Sequence, residues 1–275
     1  MSSRDIYQLM VKAKEVLPYS LGKCVVSVSG KGGVGKTTFT ALLLKALIEE
    51  GMDSILVVDA DPDTNLPDVL GIEVKRTVGE VVTRMKKDID EGKIPPGTDK
   101  ELMLEAMISE TLIEGSSFDM LVMGRPEGEG CYCFVNLLLT RILDRLTSNY
   151  RITLMDMEAG LEHVSRRTDR DVDIMVVVTD ASKMGLLTAQ RIRRLAREVH
   201  VEIRQLYVVG NQIPPELEGV VRKRAQDLAL KYVGSIPFDK EIMEYNLVGR
   251  SLLELPSQNP AYAAVREIAQ TIRLV

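Results

Sequence analysis

The sequence predicts an α/β fold, in which helices cover both faces of a single doubly wound, mostly parallel sheet. Seven short runs are apolar at nearly every position, which is typical of strands that are buried on both faces. Longer amphipathic stretches separate these runs, and the repeated order of strand and helix implies right-handed crossovers. The predicted strands are 24–29, 54–60, 119–123, 151–157, 173–180, 205–211 and 231–236.

The composition is that of an ordinary globular protein. The chain has 275 residues, of which 45% are hydrophobic and 27% are charged, and its formal net charge is −5. This acidic balance disfavours nucleic acid as the main partner, because phosphate binding favours a basic surface. Three cysteines do not make a disulfide framework, and we find neither a signal peptide nor a run of about 20 apolar residues. We therefore expect a cytoplasmic protein with no nucleic-acid partner and no membrane partner.

Residues 30–38 carry the strongest functional signal. Their sequence, GKGGVGKTT, fits the phosphate-loop pattern G-x-x-x-x-G-K-[ST] and lies between a predicted strand and a predicted helix. Glycines let successive backbone N–H groups turn toward an anion, and the following helix adds its N-terminal dipole. Lys36 would meet the β- and γ-phosphates of a nucleotide, and the Thr37 hydroxyl would bind Mg²⁺. The predicted nucleotide-binding residues of the loop are Gly30, Lys31, Gly32, Gly33, Val34, Gly35, Lys36, Thr37 and Thr38.

Acidic residues follow two of the predicted strands. Asp59, Asp61 and Asp63 cluster at the carboxyl end of the second strand, where they could order Mg²⁺-bound water or an attacking water, or form an Asp-rich turn. Asp156 ends another strand, with Gly160 four residues later, which suits a Walker B carboxylate beside a mobile switch. We therefore predict that Asp59 and Asp156 join Thr37 around Mg²⁺.

The segment K-G-G-V-G-K-T-T resembles the deviant Walker A motif of the MinD/ParA/nitrogenase-iron-protein class of dimerising ATPases. The resemblance implies that ATP holds two copies together and that Lys31 reaches across the dimer to the partner's phosphates. It implies that Lys31, Lys36 and Asp61 serve ATP hydrolysis, with Asp61 orienting the attacking water. It also implies that Asn211 contacts adenine, and that Pro237, within SIPFD, belongs to the loop that flanks adenine.

Cys131 and Cys133 form a C-x-C pair that follows a glycine-rich loop. Two thiolates at this spacing can share a soft metal ion, but a tetrahedral Zn²⁺ site needs four ligands. A two-fold dimer would supply the other two thiolates, and Ni²⁺ also suits such ligands. The alternative is that both cysteines are small, partly buried apolar side chains.

The segments GCYC, VNLL and DMEAGLEH resemble the carbon monoxide dehydrogenase nickel-insertion accessory ATPases (CooC type). This resemblance implies a homodimer that binds Ni²⁺ or Zn²⁺ between its protomers. It also implies that ATP hydrolysis to ADP and phosphate drives nickel insertion into a client Ni/Fe–S enzyme. Two alternatives stay open, namely a positioning ATPase of the MinD/ParA type without metal and a redox ATPase with an Fe–S cluster bridging the dimer.

The chain is predicted to have two parts. Residues 23–275 would form the P-loop ATPase domain, and residues 1–22 would form an N-terminal helical extension that the accessory ATPases usually lack. We expect the extension to pack on the domain, with a partner-binding arm as the alternative. Its apolar residues recur at helical spacing and are Ile6, Leu9, Met10, Ala13 and Val16.

Overall fold

The computed structural model describes residues 23–125, 141–158, 172–198 and 203–275. Within these ranges the strands are β1 (Cys24–Gly30), β2 (Ile55–Asp59), β3 (Ile113–Glu114), β4 (Asp119–Val122), β5 (Ile152–Asp156), β6 (Val172–Thr179), β7 (Ile203–Asn211) and β8 (Lys231–Ile236). They form one sheet in the order β3-β4-β2-β5-β1-β6-β7-β8. The pairs are parallel except for β3 with β4, so the predicted doubly wound sheet is confirmed.

Helices lie between the strands, as the alternating pattern predicts. Residues 141–147 are also helical. One helix begins with a capping box, in which Thr77 and Glu80 satisfy each other's backbone N–H groups. The labelled helices in the described part of the chain are α1 (Lys36–Glu49), α2 (Leu66–Leu70), α3 (Val78–Asp90), α4 (Lys100–Ser109), α5 (Lys183–Glu198), α6 (Pro215–Asp227), α7 (Lys240–Val248) and α8 (Pro260–Thr271).

The two faces of the sheet each carry a hydrophobic core. Successive side chains of a strand point to opposite faces. In β6, Val176 therefore packs in the core that contains α1 and α8, while Val177 packs in the core that contains α3 and α5. All eight residues of β6 are buried. This two-sided burial explains why the strands are apolar throughout and do not alternate.

The last helix, α8, contributes its apolar face to one of these cores. Tyr262, Val265 and Ile268 are at most 2% exposed and lie in the same cluster as residues of α1. A helix whose apolar face is buried in this way does not present that face to a lipid surface. Across the described ranges, none of the helices combines the length and the apolar character that crossing a bilayer requires.

The predicted strand positions agree with the structure to within two residues at each end. The structure adds β3, whose two residues are too few to show any hydrophobic period in a sequence. It also adds α2 and α7. The predicted extension, residues 1–22, lies outside the described residues, so its helical character stays a prediction.

We predict that Cys24 is inert to thiol reagents in the folded protein. The thiol is 1% exposed, and burial raises its pKa to about 12, with the Asp173 carboxylate adding to the rise. Only about 3 in 100,000 thiols are then ionised at pH 7.5, and the thiolate is the reactive form. In a Cys131→Ser/Cys133→Ser variant, mass spectrometry after iodoacetamide treatment should show no adduct when folded and one adduct in urea. Rapid labelling of the folded variant would contradict the burial of Cys24.

Candidate functional site

The phosphate loop lies at the carboxyl end of β1, the strand between β5 and β6. Ligands of open α/β sheets bind at this edge, where the strand order reverses. Gly35 ends the loop with φ +89°, a left-handed conformation that suits glycine. A Cβ atom on Gly35 would lie 2.2 Å from Nδ2 of Asn211, so the loop also has no room for a side chain there.

Helix α1 begins directly after the last glycine of this loop, at Lys36. Gly35 is its N-cap residue, so the first N–H groups of α1 point toward the space that the loop surrounds. Lys36 is only 7% exposed, whereas Lys31 on the outer part of the loop is exposed. The two lysines therefore occupy different surroundings, one inside the loop and one on its outer surface.

Two carboxylates lie side by side at the same edge of the sheet. Asp59 ends β2 and Asp156 ends β5, and the two residues are directly paired in the strand register. Both are fully buried. Burial and the charge of Asp156 raise the pKa of Asp59 to about 7, and burial raises the pKa of Asp156 to about 6. The Thr37 hydroxyl and the Lys36 ammonium lower the pKa of Asp156 and so counteract part of this increase. Both groups lie close to the Asp156 carboxylate, so the phosphate loop is beside it.

Asp59 organises the loop that follows β2. Its Oδ1 accepts a hydrogen bond from the backbone N–H of Asp61 at 3.1 Å, and its Oδ2 accepts one from the N–H of Leu66, also at 3.1 Å. Asp61 in turn accepts from the N–H of Asp63 at 3.0 Å. This chain of contacts holds Asp61 half-buried at the site. Asp59 thus has a positioning role that its sequence position did not reveal, and its role toward Mg²⁺ stays a prediction.

Asp156 carries a buried oxygen that suits a hydrated cation. Its Oδ1 accepts a hydrogen bond from Oγ1 of Thr40 at 3.3 Å, while its Oδ2 is buried and accepts none from the described residues. Buried polar atoms are normally paired, and a water molecule of hydrated Mg²⁺ would pair this one. The described residues contain no group of three or more His, Cys, Asp or Glu side chains arranged around a metal ion.

Thr40 is the site residue that the sequence reasoning missed. The available signal was its position four residues after Lys36, on the same face of α1. The hydroxyl also donates to the backbone carbonyl of Lys36 at 3.0 Å, so it lies against the first turn of the helix.

Asn211 and Pro237 come together on the other side of the loop. Asn211 pairs with Ile236 in the β7–β8 register, so Pro237 follows at the same edge. The Asn211 amide donates from Nδ2 to the backbone carbonyl of Val34 at 2.7 Å. Asn211 therefore supports the phosphate loop directly, a role that was not predicted. The predicted adenine contacts of Asn211 and Pro237 stay predictions.

The predicted metal ligands Cys131 and Cys133 lie outside the described residues. The segment after Asp156 is described only as far as Glu158, whose backbone carbonyl accepts a hydrogen bond from Oγ of Ser29 at 3.4 Å. The start of this predicted switch therefore rests against β1. The structure brings together the loop, Asp59, Asp61 and Asp156, and it leaves the C-x-C pair as a sequence-based prediction.

Comparison with known proteins agrees with this geometry. Residues 25–252 match the CobQ/CobB/MinD/ParA nucleotide binding domain. An uncharacterised ATP-binding protein of Methanocaldococcus jannaschii is 51% identical over 248 residues, 90% of this chain and 98% of that protein. The carbon monoxide dehydrogenase accessory protein CooC of Rhodospirillum rubrum is 31% identical over 240 residues, 84% of this chain and 89% of that protein. The ParA family ATPase of Chlorobium tepidum superimposes with a TM-score of 0.66 at 19% identity, over 90% of this chain and 98% of that one. The predicted fold and family resemblance are confirmed.

We predict that Asn211→Ala weakens the phosphate loop even without nucleotide. Loss of the bond to Val34 should lower the free energy of unfolding by about 1 kcal/mol and weaken binding of both ATP and inorganic tripolyphosphate by about fivefold. Urea unfolding and calorimetric titration would measure both effects, with exposed Gln212→Ala as the control. If Asn211 served adenine alone, unfolding and tripolyphosphate affinity would equal those of the wild type.

Proposed function

The chain belongs to the CobQ/CobB/MinD/ParA nucleotide-binding family, and we propose that it is an ATP-hydrolysing metallochaperone. In this proposal, ATP-dependent dimers hydrolyse ATP to ADP and phosphate and drive nickel insertion into a Ni/Fe–S enzyme such as carbon monoxide dehydrogenase. The observation that carries the ATPase part is the meeting of the phosphate loop with Asp59, Asp61 and Asp156 at one edge of the sheet.

Phosphate binding is assigned to the loop and to the start of α1. The backbone N–H groups of the loop and the Lys36 ammonium would hold the β- and γ-phosphates. The Thr37 hydroxyl and Asp156 would hold Mg²⁺ and its water molecules. When bound, Mg²⁺ neutralises charge on the phosphates. The buried Oδ2 of Asp156 supports this assignment, since it has no hydrogen-bond donor among the described residues.

Hydrolysis is assigned to a water molecule that Asp61 orients. The water oxygen forms a bond to the γ-phosphorus while the bond to the bridging oxygen of ADP breaks, and a water proton passes to the released phosphate. Positioning is the main contribution of the protein to such a transfer. The backbone N–H groups of Asp61 and Leu66 donate to Asp59, which holds Asp61 at the end of β2 and supports this role.

Dimerisation is assigned to Lys31. Its position is exposed although it lies within the phosphate loop, so its ammonium is accessible to a second copy. A cation supplied in trans stabilises the charge that develops on the transferred phosphoryl group. We propose that ATP brings Lys31 of each copy to the phosphates of the other, which makes hydrolysis depend on assembly.

The metal role is assigned to Cys131 and Cys133. The similarity to the carbon monoxide dehydrogenase accessory protein, 31% identity over 84% of this chain, supports it. Two C-x-C pairs in a two-fold dimer would provide four thiolates for one Ni²⁺ or Zn²⁺ ion. Nucleotide-dependent assembly would then form or release the metal site.

We predict that Lys31→Ala and Asp61→Asn separate assembly from hydrolysis. Lys31→Ala should bind ATP but stay monomeric, and phosphate release should fall about 1000-fold, because the trans cation is lost. Asp61→Asn should still dimerise with ATP, but with hydrolysis about 100-fold slower, because the water is poorly oriented. Analytical ultracentrifugation and a phosphate-release assay measure these effects, with exposed Asp63→Asn as the matched control. A Lys31→Ala variant that dimerises normally with ATP would rule out the proposed role of Lys31.

We predict that the Cys131→Ser/Cys133→Ser variant loses metal but keeps ATP binding. The wild type, held with a non-hydrolysable ATP analogue, should carry about one Ni²⁺ or Zn²⁺ ion per two copies, and the variant should carry none. Elemental analysis after gel filtration measures this, and Cys24→Ala is the matched control because Cys24 is buried in the core. Equal metal content in wild type and variant would refute the metallochaperone proposal, and stoichiometric iron in anaerobically purified wild type would favour the redox alternative.

A further inference from the structure

An apolar groove lies at the amino edge of the sheet, on the side away from the phosphate loop. It encloses about 510 Å³ between the C-terminal end of α1, the β3–β4 turn and the segment after α2. A second recess of about 350 Å³ continues it toward the start of β2 and shares the β3–β4 turn as a wall. We call the two together the edge groove, and its apolar lining is formed by Ile48, Ile72, Ile113, Phe118, Met120 and Leu253.

The described chain begins close to this groove. Cys24, at the start of β1, pairs with Ile152, which pairs with Ile55, and Ile55 lines the second recess. Two steps between neighbouring strands of about 4.8 Å each place Cys24 about 10 Å from that wall. Backbone hydrogen bonds also link the start of β1 to this wall. The Cys24 N–H donates to the Arg151 carbonyl at 2.8 Å, and the Arg151 N–H donates to the Ser54 carbonyl at 2.9 Å.

The segment that precedes this point has the length and pattern to fill the groove. Residues 6–16 carry five apolar side chains at helical spacing and would span about 16 Å as a helix. Residues 17–22 then form a connection that can reach about 20 Å when extended, twice the distance to the groove wall. Two of the apolar side chains that line the groove, Ile72 and Phe118, are only half-buried in the described structure. Covering them would remove further apolar surface from water.

We propose that residues 1–22 bind in the edge groove of their own copy, with the face that contains Leu9 and Met10 against Ile48 and Phe118. Docking there would place the segment against the C-terminal end of α1, the helix whose first residue is Lys36 of the phosphate loop. The proposal does not depend on nickel binding or on dimerisation.

A single tryptophan in the segment tests the proposal, because the natural chain contains none. At 100° per residue, Leu9 lies on the apolar face of the predicted helix and Val11 on the opposite face. The full-length Leu9→Trp variant should emit at shorter wavelength and be quenched less by acrylamide than the matched Val11→Trp variant. Equal emission and quenching of the two variants would overturn the proposal.

A second substitution identifies the groove as the binding place. Ser117 is exposed and lines the edge groove, so Ser117→Arg should block it without disturbing the core. Added to Leu9→Trp, it should shift the emission to longer wavelength, whereas Gln226→Arg, on the exposed side of α6, should not. If the emission stays at short wavelength when Ser117→Arg is added, the segment does not bind in the edge groove and the proposal is overturned. An emission that changes with protein concentration would assign the segment to a second copy and overturn binding within one copy.

Discussion

The hydrogen-bonded register of β1, β5 and β2 is the constraint on which the site depends. It pairs Asp156 with Val28 on one side and with Asp59 on the other. A slip of one residue in either pairing would turn the affected side chains to the opposite face of the sheet. The phosphate loop, which continues from β1, would then face an apolar side chain instead of the Asp156 carboxylate. The apolar residues on both faces of these strands hold the register, since each slip would also disturb two cores.

Helix α1 links the strand ends at the phosphate loop to the opposite edge of the sheet. It is 14 residues long, or about 21 Å, and is held at both ends. Thr40 contacts Asp156 near the phosphate loop, and the buried Lys45 ammonium donates to the carbonyl of Leu253 at 2.9 Å near the edge groove. Glu49, in the last turn, accepts a hydrogen bond from the Tyr262 hydroxyl at 2.6 Å. One well-anchored element therefore joins the nucleotide-binding edge to the opposite edge of the sheet.

Much of the candidate site could be predicted because its parts follow local rules. A glycine-rich turn before a helix, and carboxylates after apolar strands, are readable from neighbouring residues alone. Contacts between distant segments are not, and Asn211 shows why. A side-chain amide at the end of a strand can form hydrogen bonds with several kinds of partner. Only the packing of β7 beside the phosphate loop makes Nδ2 of Asn211 donate to the Val34 carbonyl. Asp59 is a second case, because the path of the loop after β2 decides which backbone N–H groups donate hydrogen bonds to the Asp59 carboxylate.

The sequence by itself determined the layered α/β architecture, the phosphate loop and the identity of the acidic residues beside it. These follow from hydrophobic period, glycine conformation and the order of the elements, all of which are local properties. Only the tertiary structure decided that Asp59 and Asp156 are directly paired and buried, that Thr40 completes their surroundings, and that α8 turns its apolar face into the core. Such relations join residues far apart in the chain, and their geometry arises only when the strands align and the helices close over them.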